Sequence, residues 1–265
     1  MLRPDITKRP VLLDPLTWRD GWPEVRGGRW ASDRRMPAPA VRPGRPSDYR
    51  PERVPPLRPG RLLPAYSDDF ADGLDPAWSW LREPPAGDVA VENGALRVET
   101  HPGDLARETN TAPVLSRPAP RGDYLVETRV RLDLPAEGCC HNYVQAGLVV
   151  IDDDDRYLKL VHVSIWETRQ TEWAKEVLPV REGYPRYGNG VVGAPGPTTW
   201  LRVAVDRRPG PDRYTAFTSD DGRRWVRGGT WTHRLSRDAR IGLVSMGGDG
   251  FTARFREVEV RRLRP

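Results

Sequence analysis

The chain has 265 residues, a hydrophobic fraction of 37% and a formal net charge of +5, and this length is enough for one large domain or two small ones. No apolar run reaches the roughly 18 residues that a membrane-spanning helix needs, and the positive charge is almost entirely arginine, with lysine only at Lys8, Lys159 and Lys175. Because a GC-rich coding sequence explains this arginine bias better than a nucleic-acid footprint does, we predict neither a membrane nor a nucleic-acid partner.

Residues 1–35 form the first segment and include the tryptophan-rich stretch LLDPLTWRDGWPEVRGG at residues 12–28. The opening residues MLRPDITKRPVLLDPL lack the apolar core and the small-residue cleavage site of a secretory signal. As written, the chain is therefore expected in the cytoplasm, whereas a truncated N-terminus would allow an extracellular location. The sequence leaves the localisation open.

Residues 36–65 form a second segment that is rich in proline and arginine, with nine prolines and six arginines within residues 36–64. Proline fixes φ and removes a hydrogen-bond donor, so this segment is predicted to be an extended, unpacked linker. Its PPLRPGR stretch also has the composition of a ligand for an SH3-type domain. A protein-interaction module with a basic proline-rich arm is therefore one alternative function.

From residue 66 to residue 265 the sequence alternates short apolar runs with turn signals. Asn93-Gly94 stands between two alternating runs, which is a strong signal for a two-residue β-hairpin, and Asp220-Asp221-Gly222 indicates another hairpin. Residues 123–133 alternate cleanly between apolar and charged side chains, as in a half-buried strand. With about ten to twelve strands and no helix of ten or more residues, the sequence predicts an all-β, two-sheet antiparallel jelly-roll sandwich.

Several of these strands together resemble one known family. The stretches are DDFADGLDPAWSW, NGALRVET, APVLSRP, YVQAGLVVIDDDDRYLKLVHVS and RIGLVSMGG. They are similar to the C-terminal domain of glycoside hydrolase family 43, which includes β-xylosidases, α-arabinofuranosidases and arabinanases. The resemblance covers residues 66–265 and implies a concanavalin-A-like β-sandwich that follows a five-bladed catalytic propeller.

The tryptophan-rich stretch acquires a meaning from the same resemblance. Leu13-Asp14-Pro15, Trp18 and Asp20-Gly21-Trp22-Pro23 are similar to the end of the last propeller segment in that family, so residues 1–35 are expected to be its remnant. The catalytic carboxylates of the family lie in earlier blades, which implies no catalytic residue in this chain. The expected function is an accessory sandwich that supports a separate or missing propeller domain and binds a plant-type polysaccharide or oligosaccharide of the xylan or arabinan type.

A self-sufficient jelly-roll hydrolase is a second alternative. Such an enzyme needs two carboxyl groups about 5 Å apart if it is retaining, or about 6.5–9.5 Å apart if it is inverting. The nearest pair is Glu167 and Glu172 in WETRQTEW. Their spacing of five residues places them on opposite faces of a regular strand, which argues against catalysis by this pair.

A carbohydrate-binding site has better support, because sugars are bound by aromatic faces together with amide, carboxylate and basic groups. Trp166 stands among such residues in the two central strands. The candidates are Tyr143, Gln145, Tyr157, Lys159, His162, Glu172 and Trp173. Strand parity places His162 with Leu158 and Leu160, so a core position is the alternative for this histidine.

An acidic run at Asp152–Asp155 is the candidate metal site. Carboxylate oxygens are the ligands that calcium prefers, and Asp152, Asp153 and Asp154 could contribute them to a structural Ca²⁺. The run lacks the spacing of an EF-hand, and a charged turn between two strands explains it equally well. No other cofactor is predicted.

Overall fold

Strands account for nearly all of the regular structure, as the sequence predicts. The computed structural model describes residues 13–19, 21–26, 57–180, 182–207 and 209–264. The chain divides into a smaller compact unit that contains residues 1–57 and a larger one that contains residues 58–179 and 186–264. Most of the predicted linker lies outside the described residues, and so do Pro55 and Pro56 at the start of the PPLRPGR stretch.

The smaller unit contains one hairpin. Its strands are β1 (Leu16–Arg19) and β2 (Trp22–Val25), which pair antiparallel with Leu16 opposite Val25. Leu13 and Trp18 are exposed side chains of this hairpin. Within residues 1–35 the structure therefore describes a two-stranded hairpin, and its origin as the end of a propeller stays a prediction.

The larger unit is a sandwich of two antiparallel sheets. Its strands are β3 (Arg58–Leu62), β4 (Ser79–Leu81), β5 (Val89–Glu92), β6 (Ala95–Glu99), β7 (Val114–Pro118), β8 (Tyr124–Leu132), β9 (Gln145–Asp153), β10 (Arg156–Ile165), β11 (Thr168–Val177), β12 (Tyr187–Val191), β13 (Thr199–Asp206), β14 (Asp212–Ser219), β15 (Val226–His233), β16 (Arg240–Met246) and β17 (Thr252–Arg264). The first sheet has the order β12-β11-β10-β9-β16-β7-β4, and the second has the order β15-β14-β13-β8-β17-β6-β5 with β3 paired to β17. The predicted all-β, two-sheet fold is confirmed.

The hydrophobic core lies between the two sheets. Leu158 and Leu160 of β10 project into it from the first sheet, and Leu201 of β13 projects into it from the second. Each fully buried aliphatic side chain of this kind contributes about 1.5–3 kcal/mol to stability. Successive side chains of a strand point to opposite faces, so Tyr157 and Lys159 project from the outer face of the first sheet.

Two predicted turns are confirmed. Asn93 and Gly94, with φ values of 53° and 63°, connect β5 to β6, which is the left-handed pair that a two-residue hairpin requires. After β14, the Asp221 carboxylate accepts the backbone N–H groups of Arg224 at 2.7 Å and Arg223 at 2.8 Å. These two hydrogen bonds lower the pKa of Asp221 to about 2.

The end of the predicted linker differs from the expectation. Arg58–Leu62 is strand β3 and pairs with β17, with Leu62 opposite Arg261, so this part of residues 36–65 belongs to the second sheet. Gly60 allows the close pairing, because an added Cβ would lie 2.8 Å from the Arg262 carbonyl oxygen. The high proline content predicted an unpacked segment throughout. That prediction is wrong for β3, because a short edge strand of five residues tolerates a proline.

Candidate functional site

The outer face of the first sheet carries most of the candidate side chains. Tyr157 pairs with Glu176 and Lys159 pairs with Ala174 across β10 and β11, so these four residues share that face. Glu172, two residues before Ala174, lies on the same face. The neighbouring strands add Gln145 and Tyr187 to the same surroundings, through the hydrogen bonds given below.

A loop of residues 101–113 covers this face. Leu105 and Ala112 of the loop are completely buried and belong to one apolar cluster with Tyr157 and Val161. The candidate residues below the loop are consequently shielded from solvent, and Lys159 is 1% exposed. A buried ammonium group needs hydrogen-bond acceptors to offset its lost hydration.

Lys159 has such acceptors. Its Nζ donates to the Gln145 Oε1 at 2.9 Å and to the backbone oxygen of Leu105 at 3.0 Å, and it lies 3.6 Å from the Asp104 carboxylate. Gln145 in turn donates its Nε2 to Asp104 at 3.0 Å. These hydrogen bonds and the Lys159–Asp104 ion pair form a small network that connects the loop of residues 101–113 to β9 and β10.

Glu176 closes a second network. It accepts the Tyr157 hydroxyl at 2.8 Å, the backbone N–H of Arg107 at 2.7 Å and the Arg186 Nε at 2.6 Å. Burial and the neighbouring Glu176 carboxylate raise the pKa of Tyr157 well above its usual range. Tyr157 consequently stays protonated and acts as a donor to Glu176.

Glu172 has its own partners at the edge of the sheet. It accepts the Tyr187 hydroxyl at 2.8 Å and the Asn189 amide at 2.9 Å. Burial and then the Glu172 carboxylate raise the pKa of Tyr187, which keeps this hydroxyl protonated as well. The Lys159 Nζ lies 5.7 Å from the centroid of the Tyr187 ring, within the range of a cation–π interaction.

These contacts define what we call the outer-face cluster: Asp104, Gln145, Tyr157, Lys159, Glu172, Glu176, Arg186, Tyr187 and Asn189. It brings together four of the sequence-predicted site residues. Their polar groups already bind one another or the covering loop, so the cluster holds residues 101–113 on the sheet. A sugar would have to displace the loop to reach Gln145, Tyr157 and Lys159, which are buried.

Two candidates lie on the other side of the sheet. Trp173 is 2% exposed, belongs to the core between the sheets and donates its Nε1 to the Gly229 carbonyl at 3.1 Å. His162 is buried on the same side, in agreement with its strand parity, and within the described residues neither ring nitrogen has a hydrogen-bond partner. Burial, assisted by Arg169, lowers the pKa of His162 to about 4.

Tyr143 is the exposed candidate. It lies two residues before β9 and is 51% exposed, and its backbone N–H donates to the Ser164 carbonyl at 2.7 Å. Trp166 follows β10 at the same end of this antiparallel pair of strands and is 63% exposed. These two aromatic residues lie at the end of the sandwich and outside the outer-face cluster.

The carboxylates considered for hydrolysis are not brought together. Glu167 lies in the turn between β10 and β11, whereas Glu172 is inside β11. At a rise of about 3.3 Å per residue their Cα atoms are roughly 15 Å apart, and the carboxyl groups of glycosidases are at most about 9.5 Å apart. The structure therefore gives this pair no support as a catalytic pair.

The acidic run comprises the last two residues of β9 and the turn that leads to β10, and its carboxylates bind different partners. Asp152 accepts the backbone N–H of Ser236 at 2.9 Å, Asp153 binds Arg156 at 2.9 Å, and Asp154 binds Arg82 at 2.8 Å. Within the described ranges, no three His, Cys, Asp or Glu side chains are placed to hold a metal ion. Asp152, Asp153 and Asp154 in this arrangement do not fit a calcium ion.

Calcium is accordingly expected to have no effect on stability. The melting temperature should be the same after dialysis against EDTA and after addition of millimolar Ca²⁺, because the carboxylates are already neutralised by arginine. Differential scanning calorimetry at constant ionic strength tests this, with Mg²⁺ as the matched control. A rise in melting temperature with Ca²⁺ and not with Mg²⁺ would contradict this expectation and would support a calcium site at the acidic run.

Sequence reasoning missed Glu176, Arg186 and Asp104. One signal for Glu176 was available, since Glu172, Ala174 and Glu176 occupy alternate positions of one strand and must share a face. Asp104 had no such signal, because it belongs to an irregular loop without periodicity. Arg186 lies just before β12, where only the tertiary fold brings it to Glu176.

Comparison with known proteins gives the family. The family model described as the β-xylosidase C-terminal concanavalin A-like domain matches residues 67–252. A search of curated proteins gave no match. In the larger unit, the matched residues run from the segment after β3 to the first residue of β17.

Solved structures with the same fold include three glycoside hydrolase family 43 proteins. The GH43B protein of a Bacteroides ovatus xyloglucan locus is 20% identical with a TM-score of 0.56. The BlXynB protein of Bacillus licheniformis is 18% identical with a TM-score of 0.57, and the xylan β-1,4-xylosidase of Bacillus halodurans is 16% identical with a TM-score of 0.56.

In each comparison 94% of this chain is covered, and it spans 46% of the solved protein. The similarity to these structures shows the fold, and the match over residues 67–252 shows the family. No helix among the described residues is long and apolar enough to cross a membrane. The chain belongs to the family of β-xylosidase C-terminal concanavalin A-like domains, the accessory β-sandwiches of glycoside hydrolase family 43.

Proposed function

We propose that this domain is the non-catalytic partner of a glycoside hydrolase propeller and helps that propeller act on xylan- or arabinan-type chains. The observation that carries the proposal is the family match over residues 67–252. The solved family 43 proteins support it, because the region similar to this chain is 46% of their length. The remaining part of those proteins is large enough for a separate catalytic domain.

The carboxylates of the sandwich support a non-catalytic role. Glu167 and Glu172 are too far apart. Glu172 is engaged by Tyr187 and Asn189 at the edge of the sheet, and Glu176 is engaged by three donors, one of them in the covering loop. A general acid must deliver its proton to a substrate oxygen within hydrogen-bonding distance. Glu176 is completely buried and Glu172 is 6% exposed, and both carboxylates already accept hydrogen bonds from the protein, so the chemistry is assigned to the partner.

The partner can be tested through the activity that accompanies this chain. An antibody against the purified sandwich would be used for immunoprecipitation from the native host, and the precipitate would be assayed with 4-nitrophenyl β-xyloside and 4-nitrophenyl α-arabinofuranoside. We expect hydrolysis by the precipitate, carried out by a propeller on the same or an associated chain. A precipitate that contains this chain without glycosidase activity would overturn the proposal.

The purified chain gives the complementary result. It is expected to hydrolyse neither substrate, and Glu172→Gln and Glu176→Gln are the variants that decide the matter if turnover is seen. Hydrolysis that disappears in both variants would place the active site on the sandwich and would establish the self-sufficient hydrolase. Hydrolysis unchanged in both would indicate a contaminating enzyme, which a further purification step would remove.

A further inference from the structure

One end of the sandwich presents two aromatic side chains to solvent. Trp166 lies in the connection from β10 to β11, and Tyr143 lies two residues before β9. Their exposed fractions are 63% and 51%, whereas Trp173 of the same sheet is buried in the core. Asn142 and Glu167 are the sequence neighbours of these two residues, and we call the four residues together the aromatic end.

The backbone of both aromatic residues is in the left-handed region. Trp166 has a φ of 53° and Tyr143 has a φ of 66°. Bulky residues rarely occupy this region, and glycine occupies it without steric cost. In the two-residue connection between Ile165 and Thr168, glycine would therefore adopt this backbone conformation at a lower energetic cost than tryptophan does. Strained positions of this kind cluster at functional sites, where the side chain is what matters.

The backbone of the aromatic end is firmly held. The Asn142 Oδ1 accepts the backbone N–H of Trp166, and the Ser164 carbonyl accepts the backbone N–H of Tyr143 at 2.7 Å. Gly247 packs so closely that an added Cβ would collide with the Tyr143 carbonyl. The two side chains are therefore presented from a rigid frame, which reduces the entropy lost on binding a ligand.

Arg169 braces the loop that leads to Tyr143. Its guanidinium donates to the carbonyls of Pro135 at 2.7 Å and Gly138 at 3.1 Å, and to the Ser164 Oγ at 3.1 Å. These bonds connect the start of β11 to the segment before β9. The Arg169 guanidinium is thus engaged by backbone carbonyls and by the Ser164 hydroxyl.

The chemistry of the aromatic end suits an uncharged sugar. Each ring offers a face to the C–H surface of a pyranose. Within the part of the chain that the structure describes, the Asn142 amide nitrogen and the Glu167 carboxylate have no hydrogen-bond partner, so one donor and one acceptor stand next to the rings. A sugar hydroxyl both donates and accepts, and it can use both groups.

The size of the patch also favours a sugar over a protein. A stable protein interface buries about 800 Å² on each partner, and Glu167 and Thr168, which follow Trp166 in the chain, are exposed and polar. Two aromatic rings in polar surroundings match one or two sugar units. We propose that Tyr143 and Trp166 form a binding site for a neutral xylo-oligosaccharide, an inference that rests on the proposed function only for the choice of sugar.

Isothermal titration calorimetry with xylohexaose tests the site. The wild-type chain is expected to bind, and Trp166→Gly is expected to bind at least about tenfold more weakly, because the stacking face is lost. Tyr143→Gly is the second variant. Leu62→Ala is the matched control, since Leu62 is a partly exposed apolar side chain on β3, which pairs with β17 in the second sheet, and it should bind like the wild type.

The same variant separates a binding role from a structural one. Glycine suits a φ of 53°, so the melting temperature of Trp166→Gly should equal or exceed that of the wild type while affinity falls. Wild-type affinity in this variant, or no binding of xylohexaose, arabinohexaose or cellohexaose by the wild type, would overturn the site. Either result leaves the immunoprecipitation test intact, so the two proposals fail separately.

Discussion

Replacing Glu176 with alanine is expected to lower the free energy of unfolding by about 2 to 4 kcal/mol. The side chain is completely buried and accepts the Tyr157 hydroxyl at 2.8 Å and the Arg107 backbone N–H at 2.7 Å. The substitution leaves the buried Tyr157 hydroxyl and the partly buried Arg107 N–H without this acceptor, and a buried donor without an acceptor costs about 1 to 3 kcal/mol. Arg186 also loses its shortest ion pair, at 2.6 Å.

Glu108 provides the matched control. It binds the same Arg186 guanidinium at 3.1 Å, but its side chain is 80% exposed, and exposed ion pairs contribute at most about 1 kcal/mol. Equilibrium urea unfolding of the wild type, Glu176→Ala and Glu108→Ala would measure the difference directly. Equal stability of all three chains would show that the outer-face cluster does not hold the loop on the sheet.

The result bears on where a sugar binds. If Glu176 stabilises the fold as expected, then Tyr157 is committed to its carboxylate, as Lys159 is to Gln145 in the neighbouring network, and binding a sugar there would cost that stability. The exposed Tyr143 has no such conflict, because its side chain lies outside the network. Burial, rather than residue type, thus separates structural polar groups from available ones on this sheet.

The sheet positions could be predicted because alternation has a physical cause. Apolar residues at every second position of β8 and β10 point into one core, and this period identifies strand faces from the sequence alone. The hairpin at Asn93-Gly94 could be predicted because few residues adopt its left-handed backbone. Parity likewise placed His162 with Leu158 and Leu160, as the structure confirms.

The outer-face cluster could be predicted only in part. The sequence indicates that Tyr157 and Lys159 share a face, but it does not indicate that residues 101–113 cover them. Asp104 and Arg186 reach the cluster from a loop and from the segment before β12, through contacts that no short-range pattern encodes. The aromatic character of Trp173 led to its prediction as a sugar contact. Trp173 instead lies between the sheets, on the same face of β11 as Thr171, which is also buried.

Acid should destabilise this fold through His162. The histidine is neutral in the fold, because burial, assisted by Arg169, lowers its pKa to about 4, while an unfolded histidine has a pKa of about 6.5. The unfolded state therefore binds more protons between these two values, so stability is fully present above about pH 6.5 and is lost as the pH falls toward about 4. A shift of about 2.5 units corresponds to about 3 kcal/mol.

His162→Leu is expected to remove this dependence. Near pH 7.5 the variant should be about as stable as the wild type, because within the described residues the ring nitrogens have no hydrogen-bond partner to lose and an apolar side chain suits the site. Near pH 4 it should be more stable by about 3 kcal/mol, since no proton is taken up on unfolding at this position. Urea unfolding of both chains across this pH range measures the difference in stability. If that difference is the same at every pH, the lowered pKa of His162 is not a cause of the acid sensitivity. Because the carboxylates titrate alike in both chains, their contribution to acid unfolding cancels in the comparison, and what remains belongs to His162.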